Sequence, residues 1–322
     1  MSGRPGLQRD DAPRDMVWIE GRRFRMGSDV HYAEERPARP VKVDGFWIDR
    51  TPVTNLQFAA FVDATGWVTS AEIAPRAEDY PGALPSMLVP ASLVFKPTIG
   101  PVDLRQPHHW WAYTPGADWR HPTGPQSDLE GRGDHPAIHV AWRDVEAYAL
   151  WANLELPTEA EWELAARGGV EDAEYAWGDA LVPDGRHMAN TWQGRFPWEN
   201  LAEDGWNRTS PVTAFPANGY GLHDMIGNVW EWTQDWWSMA DPAQPVKSCC
   251  AVQNPLGGRE EQSHDPREPT HIARKVLKGG SHLCAPCYCR RYRPAARHAH
   301  AVDTSTSHVG FRCVLRQPTK PS

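Results

Sequence analysis

Proline and glycine punctuate this chain so densely that long regular elements cannot persist through most of it. There are 30 prolines and 26 glycines among 322 residues, about 17% against roughly 12% in an average protein. Proline removes a backbone donor and breaks helices, while glycine opens turn conformations closed to other residues. The same sequence carries 17 tryptophans, large side chains whose default role is burial. The expectation is therefore irregular backbone packed around aromatic clusters, with short strands and few long helices.

At this length a chain can bury a sizeable core, and one domain is expected. Hydrophobic residues at 40% and charged residues at 23% are ordinary for a globular protein and argue against both disorder and membrane insertion. No apolar run approaches bilayer length. The charged stretch from Met1 to Asp15 lacks the apolar segment of a secretory or lipid-attachment signal, so a cytoplasmic protein with a disordered start is expected. A net charge of −8 disfavours a nucleic-acid partner and suits a cationic peptide or small molecule.

Alternation in Val17-Trp18-Ile19, Pro40 to Val43 and Phe46 to Asp49 predicts two or three strands. Thr54 can cap a helix with Phe58, Phe61 and Val62 on its apolar face and Gly66 at its left-handed end. Helical spacing of Val145, Tyr148, Ala149 and Ala152 predicts a second helix from Trp142 onward. A third begins after Thr158, where Glu161 completes a capping box, and stops at Gly168-Gly169. Residues 75 to 133 show no sustained period and read as a long ordered excursion carrying Trp110-Trp111, the kind of loop that tends to be functional. Residues 242 to 276 read as a polar surface insertion holding the vicinal Cys249-Cys250.

Chemistry concentrates between Leu277 and Cys313, which hold four of the six cysteines. Gly279 and Gly280 suit a tight turn presenting Ser281 and Cys284 beside Cys289. Three readings stay open for the cluster of His282, Cys284, Cys287 and Cys289. It can be a structural zinc site, although its second half is missing, an inert buried thiol group, or a two-thiolate site for the soft ion Cu(I). The run Arg290, Arg291, Arg293 and Arg297 reads either as thiol-activating or as a solvated basic face. Asn, Asp and Glu residues in segments 190–206 and 224–231 supply hard oxygens for Ca²⁺ or simply form Asx turns and caps.

Several stretches together resemble the formylglycine-generating enzymes, also called sulfatase-modifying factors. They include Met26-Gly27-Ser28, Glu34-Glu35-Arg36-Pro37, Pro52-Val53-Thr54-Asn55 and the Gly116–Pro125 stretch. Further along come Asp134-His135-Pro136, the run Leu156 to Glu163, Asn190 to Gly194, Gly227 to Trp232 and Lys278-Gly279-Gly280-Ser281. The discriminating motif is Gly-Gly-Ser-x-x-Cys followed five residues later by Cys, here Cys284 and Cys289. The resemblance spans Asp15 to Arg316 and implies an α+β, C-type-lectin-like fold of low regular content in a single domain over 15–316. Residues 1–14 are then a disordered segment and 317–322 a tail.

By the same resemblance, the chain is expected to be a copper-dependent oxidase that converts the cysteine of a sulfatase Cys-x-Pro-x-Arg motif to formylglycine with O₂. Cys284 and Cys289 would bind Cu(I), and Ser281, Trp230 and Tyr288 would line the active site with them. Structural calcium would be held by Asn190, Thr191, Asp204 and Trp206 at one site and by Asp224, Gly227, Val229 and Glu231 at another. Of these, Thr191, Trp206, Gly227 and Val229 would use main-chain oxygens. Asp224 stands where the family commonly has Asn, which keeps an oxygen ligand and adds charge. Implied partners are an unfolded or nascent sulfatase polypeptide and an external thiol reductant, with no nucleic acid or membrane, and the protein is expected to be a monomer.

Two departures stand out. The disulfides of secreted animal members would pair the positions of Ala149 with Cys313 and of Ala166 with Pro294, so neither can form here and Cys313 is expected to be a buried free thiol. Cys287 lies outside the family motif. The rival reading is a non-catalytic C-type-lectin-like binding module of the same superfamily, which would lack the cysteine pair. A second rival is a domain of the related non-haem-iron sulfoxide synthases, which would need a His-rich site from a helical domain absent from this sequence.

Overall fold

The structure, a computed structural model, describes residues 15–239, 251–268 and 270–316. The two terminal segments and Cys249-Cys250 lie outside the described residues. Four short strands open the fold: β1 (Met16–Ile19), β2 (Arg22–Met26), β3 (Arg39–Val43) and β4 (Phe46–Asp49). The β2 segment had no separate signal in the sequence because only Phe24 and Met26 alternate inward among three arginines.

Helix α1 (Asn55–Thr65) begins where the sequence places it. The Thr54 hydroxyl accepts from the Gln57 amide, the Gln57 side chain returns the bond, and Gly66 closes the helix at φ 66°. In the long excursion, β5 (Ala91–Phe95) and β6 (Trp111–Pro115) pair antiparallel. Periodicity missed them because fifteen intervening residues separate the two halves of the pair. Helices α2 (Trp142–Ala152) and α3 (Glu159–Ala166) follow, the latter with its Thr158–Glu161 capping box.

Two-residue strands β7 (Gly194–Arg195) and β8 (Glu199–Asn200) form a small hairpin. The remaining strands are β9 (Trp230–Trp236), β10 (Val252–Gln253), β11 (Arg274–Lys278), β12 (Arg297–Ala301), β13 (Val309–Gly310) and β14 (Val314–Arg316). Three sheets matter for the site. One has the order β1-β4-β14, a second β10-β3-β2, and the third β12-β11-β9-β13. The third carries the chemistry, since β11 runs straight into Gly279-Gly280 and its neighbours β9 and β12 carry Trp230 and His298.

Aromatic side chains hold the layers together, as the tryptophan count predicts. Phe58, Phe61, Tyr148 and Phe311 join α1 and α2 to the third sheet through edge-on contacts with centroids 5.1 to 6.3 Å apart. A second cluster packs β2, β3 and β4 on α3, centred on the fully buried Trp162. The third joins Phe95, Trp110, Trp192 and Phe196 to Leu283 and Ala285, and so forms the wall behind the cysteine loop. Cys313 is a buried free thiol in the same cluster as Ala149, the position with which the resemblance would pair it. Among the described residues, no helix is long and apolar enough to cross a membrane.

All eight residues of α3 are buried, including Glu159, Glu161 and Glu163. Buried carboxylates survive only when paired, and each has a partner. Lys278 Nζ lies 3.4 Å from Glu159 and 3.1 Å from Glu163, Arg297 is 2.8 Å from Glu159, Arg167 is 2.7 Å from Glu163, and Arg316 is 2.7 Å from Glu161. This network ties α3 to the end of β11 and fixes the point from which the cysteine loop departs.

Candidate active site

Glycine is required at the start of the loop for two reasons. Gly279 and Gly280 sit at φ 93° and 71°, a region that disfavours side chains, and a Cβ on Gly280 would come within 2.9 to 3.0 Å of the backbone of Arg291 and Tyr292. That close approach brings the segment after Cys289 back onto the turn. The Ser281 amide then points at Cys284 Sγ at 3.4 Å, and Ser281 Oγ accepts from the Leu283 amide at 3.2 Å.

The two motif thiols meet. Cys284 Sγ and Cys289 Sγ are 3.0 Å apart, beyond the 2.05 Å of a disulfide, and both are free. Of the pair, Cys289 ionises first. Its hydrogen bond with Cys284 lowers its pKa, burial opposes that, and the Arg291 guanidinium adds to the lowering from 4.0 Å. Burial holds Cys284 up.

The rest of the arginine run activates no thiol, and of it only Arg290 is exposed to solvent. Arg290 pairs with Glu174, Arg293 is buried against Glu35, and Arg297 joins the α3 network, so only Arg291 reaches a thiol. Glu34 grips Arg291 from behind, and the Tyr32 ring lies 3.9 Å from its guanidinium carbon.

The thiols sit in a cleft of about 250 Å³ that is also lined by Ser281, Trp230, Tyr288 and Arg291. The three residues expected to line the site, Ser281, Trp230 and Tyr288, are thus gathered around the pair. Tyr288 stacks on Phe196 at 4.4 Å with Trp110 edge-on at 5.5 Å, and burial followed by the two thiols pushes its hydroxyl up to about 12. A larger cleft of about 420 Å³ lies between Arg25, Asp29, Arg167 and Arg293. It contains no thiol, and those four groups are spent on ion pairs, Arg25 with Asp29, Arg167 with Glu163 and Arg293 with Glu35.

Sequence reasoning missed half of the wall. Trp110, Trp111 and Phe196 come from the excursion and the β7–β8 hairpin, and His298, His300 and His308 complete the lining, His308 with its ring 4.7 Å from that of Trp111. The histidines had a readable signal, because His298 and His300 alternate as strand neighbours must when they share one face.

The four-ligand zinc reading does not assemble. Cys287 is exposed, turns its Sγ toward the Gly194 carbonyl at 3.8 Å and lines a separate apolar cavity of about 280 Å³. His282 Nδ1 is 2.8 Å from the Asn228 carbonyl, and burial lowers its pKa to about 4. Among the described residues no group of three or more His, Cys, Asp or Glu side chains is gathered to hold a metal. What remains is a donor set of two soft sulfurs, which fits Cu(I) and not the tetrahedral needs of Zn²⁺.

The residues expected to hold calcium lie on two segments joined by the Asn228 amide on the Asn190 carbonyl at 2.9 Å. A Cβ on Gly227 would lie 2.4 Å from that carbonyl, so the loops can meet only at glycine. Two buried oxygens there have no partner among the described residues, Asn190 Oδ1 and Asp224 Oδ1. Burial pushes Asp224 up to about 7.

A buried, unpaired acceptor is costly, and a hard cation at each of the two expected sites would satisfy the oxygen there. Asp204 meanwhile accepts from the Thr191 and Trp206 amides at 3.1 and 2.9 Å. Glu231 departs from a free ligand. Its two oxygens accept from Arg312 at 2.7 and 2.8 Å and from Trp162 at 2.7 Å.

An aromatic cleft over a free dithiol, carried by a mixed α+β chain of low regularity, defines the class of protein. A family model described as the sulfatase-modifying factor enzyme 1-like domain matches residues 3–317. The chain belongs to that family. It is 52% identical over 300 residues to a formylglycine-generating enzyme of Mycobacterium tuberculosis, covering 93% of this chain and 97% of that one. A protein of the same name from Mus musculus is 42% identical over 96% of this chain and 78% of its own.

An inactive Cα-formylglycine-generating enzyme 2 of Mus musculus is also similar, 36% identical over 92% of this chain and 84% of that one. The solved structure of PvdO from Pseudomonas aeruginosa shares the fold at a TM-score of 0.60 and 22% identity, covering 98% and 99% of the two chains. Similarity to both active and inactive namesakes leaves the activity to be argued from the site.

Proposed function

We propose that this protein converts the cysteine of a Cys-x-Pro-x-Arg segment in an unfolded sulfatase to formylglycine, using O₂ and an external thiol. The observation that carries this reading is the free Cys284–Cys289 pair, sulfurs 3.0 Å apart, at the bottom of an aromatic cleft. The overall change takes –CH₂SH, O₂ and two external thiols to –CHO, hydrogen sulfide, water and one disulfide. Cu(I) bound by Cys284 and Cys289 would supply the one-electron chemistry with O₂, which no amino-acid side chain here provides.

The chain's own residues do the rest. Ser281 fixes Cys284 through its backbone amide, and Arg291 offsets negative charge at Cys289. Tyr288, braced from behind by Phe196 and from the side by Trp110, gives the substrate a rigid apolar wall and keeps water from the thiols. Trp230 closes the floor from β9.

Protein stripped of metal is expected to regain conversion of a Cys-x-Pro-x-Arg peptide, read by mass spectrometry as thiol lost to aldehyde, when given Cu(I) with a thiol reductant. Zn²⁺, Fe²⁺ or Ca²⁺ alone should not restore it, and a strong Cu(I) chelator should abolish it. Full activity in copper-free protein would overturn the copper part of the reading. No conversion under any of these conditions would favour the binding-module alternative.

Calcium at the Asn190 and Asp224 loops would stabilise the fold by mass action. At a hundredfold excess over Kd each site contributes about 2.7 kcal/mol. Exhaustive chelation is therefore expected to lower Tm by several degrees, with Ca²⁺ restoring it. An unchanged melting curve, together with no calcium by elemental analysis, would remove both sites.

A further inference from the structure

The overall change above begins by ionising a substrate thiol and ends by protonating the sulfur that leaves, yet neither motif cysteine is free to move protons once it holds a metal. The cleft wall offers three imidazoles, and their hydrogen bonds separate them. His308 has Nδ1 tied to Thr306 Oγ1 at 2.7 Å and its ring against Trp111, and His300 donates Nε2–H to the Thr304 carbonyl at 3.1 Å. His298 makes no hydrogen bond to any described residue on either ring nitrogen. It is open to the cleft, and its ring lies 5.5 Å from that of Trp230.

Its backbone is not free to wander. In the β11–β12 register His298 stands opposite Leu277, whose strand leads directly into the Gly279-Gly280 turn. A wall residue anchored in the sheet, with both nitrogens unspent and open to the cleft, is placed to meet a substrate rather than a protein partner.

We propose that His298 is the proton-transfer residue of this cleft, taking the proton of the substrate thiol and returning it to the departing sulfur. In the first step the substrate S–H bond breaks and an N–H bond forms on the neutral imidazole, leaving a thiolate beside an imidazolium. In the second, when the C–S bond is broken, that N–H proton goes to the sulfur, which leaves as hydrogen sulfide. No additional oxidant or reductant is needed, because this pair of transfers nets to zero on the enzyme.

The charged and titratable groups facing His298 are Arg291 from the cysteine loop, Arg274 from β11, His300 from its own strand and His308 from the segment before β13. Desolvation against the cleft wall lowers its pKa first, and Arg291, His300 and Arg274 add to the lowering, so the imidazole is neutral at pH 7. The inference rests on the enzyme reading given above.

Its test is the pH dependence of the His298→Gln variant on a Cys-x-Pro-x-Arg peptide, using copper-loaded full-length protein. A free cysteine thiol with a pKa of about 8.5 is only about 3% ionised at pH 7. Losing the base is therefore expected to cost about ten- to thirtyfold in kcat/KM at pH 7, with the deficit closing above about pH 9 as solvent ionises the substrate. Imidazole added to the His298→Ala variant should recover part of the rate at pH 7.

A His298→Gln profile that superimposes on the wild type, or one displaced equally at every pH with a lowered Tm, would overturn the assignment while leaving the enzyme reading intact. Wild-type protein that converts no peptide would overturn both.

Discussion

Cys284→Ser and Cys289→Ser are each expected to bring peptide conversion to background while the protein stays folded, whereas Cys287→Ser keeps most of its activity. The two motif sulfurs touch at 3.0 Å and form the whole of a two-donor site, so removing either leaves one ligand. Serine is close in size to cysteine, and at Cys284 its hydroxyl can accept from the Ser281 amide that now approaches the sulfur, so a large loss of stability is not expected.

Copper stoichiometry should fall with activity in both variants. Cys287 looks into a different cavity and sits beside the Gly194 carbonyl, which separates it from the pair in spite of its place between them in the chain. Near-normal turnover in either motif variant would sink the two-thiolate site. Loss of copper on replacing Cys287 alone would require the ligands to be redrawn.

Much of the local structure could be read in advance because its causes are local. Thr54 and Thr158 cap helices with partners three residues away, and Gly66 and Gly279 take positive φ for steric reasons that no neighbour alters. The dithiol was legible for the same reason, since its two members lie on one short loop.

The cleft was not, because its walls are assembled over long distances. Trp110 and Phe196 meet Tyr288 only after a hairpin and an excursion have folded. The arginine run shows the same limit. Whether Arg291 faces a thiol and Arg293 a carboxylate depends on Glu34 and Glu35, which lie more than 250 residues earlier. The two orphaned oxygens of Asn190 and Asp224 are marked in the sequence only by the family resemblance, since burial alone distinguishes them from ordinary Asx-turn acceptors.

Lys278→Met is expected to produce the largest loss of stability of any single change near the site. Lys278 is fully buried at the end of β11, and its ammonium is the only cation in contact with both Glu159 and Glu163 among the described residues. Methionine matches the stem in volume but leaves two buried carboxylates one turn apart on α3, each with a single arginine partner, Arg297 for Glu159 and Arg167 for Glu163. Breaking a buried pair in this way costs about 3–5 kcal/mol, or roughly 10 °C in Tm for a chain of this size.

The sign of the pH dependence follows from Glu163. Burial alone would raise its pKa, but Lys278 and Arg167 outweigh that and hold it below the ordinary value. Its contribution to stability is therefore present above the unfolded pKa, about 4.3, and is lost as pH falls through the lower folded value. The gap between wild type and Lys278→Met should be widest near neutrality and narrow on acidification. Adding Glu163→Gln to Lys278→Met should recover part of the loss by removing one of the two under-compensated buried charges. A Tm within about 2 °C of wild type for Lys278→Met, or a gap that widens as pH falls, would show that the α3 carboxylates do not depend on Lys278 and that the cysteine loop is anchored some other way.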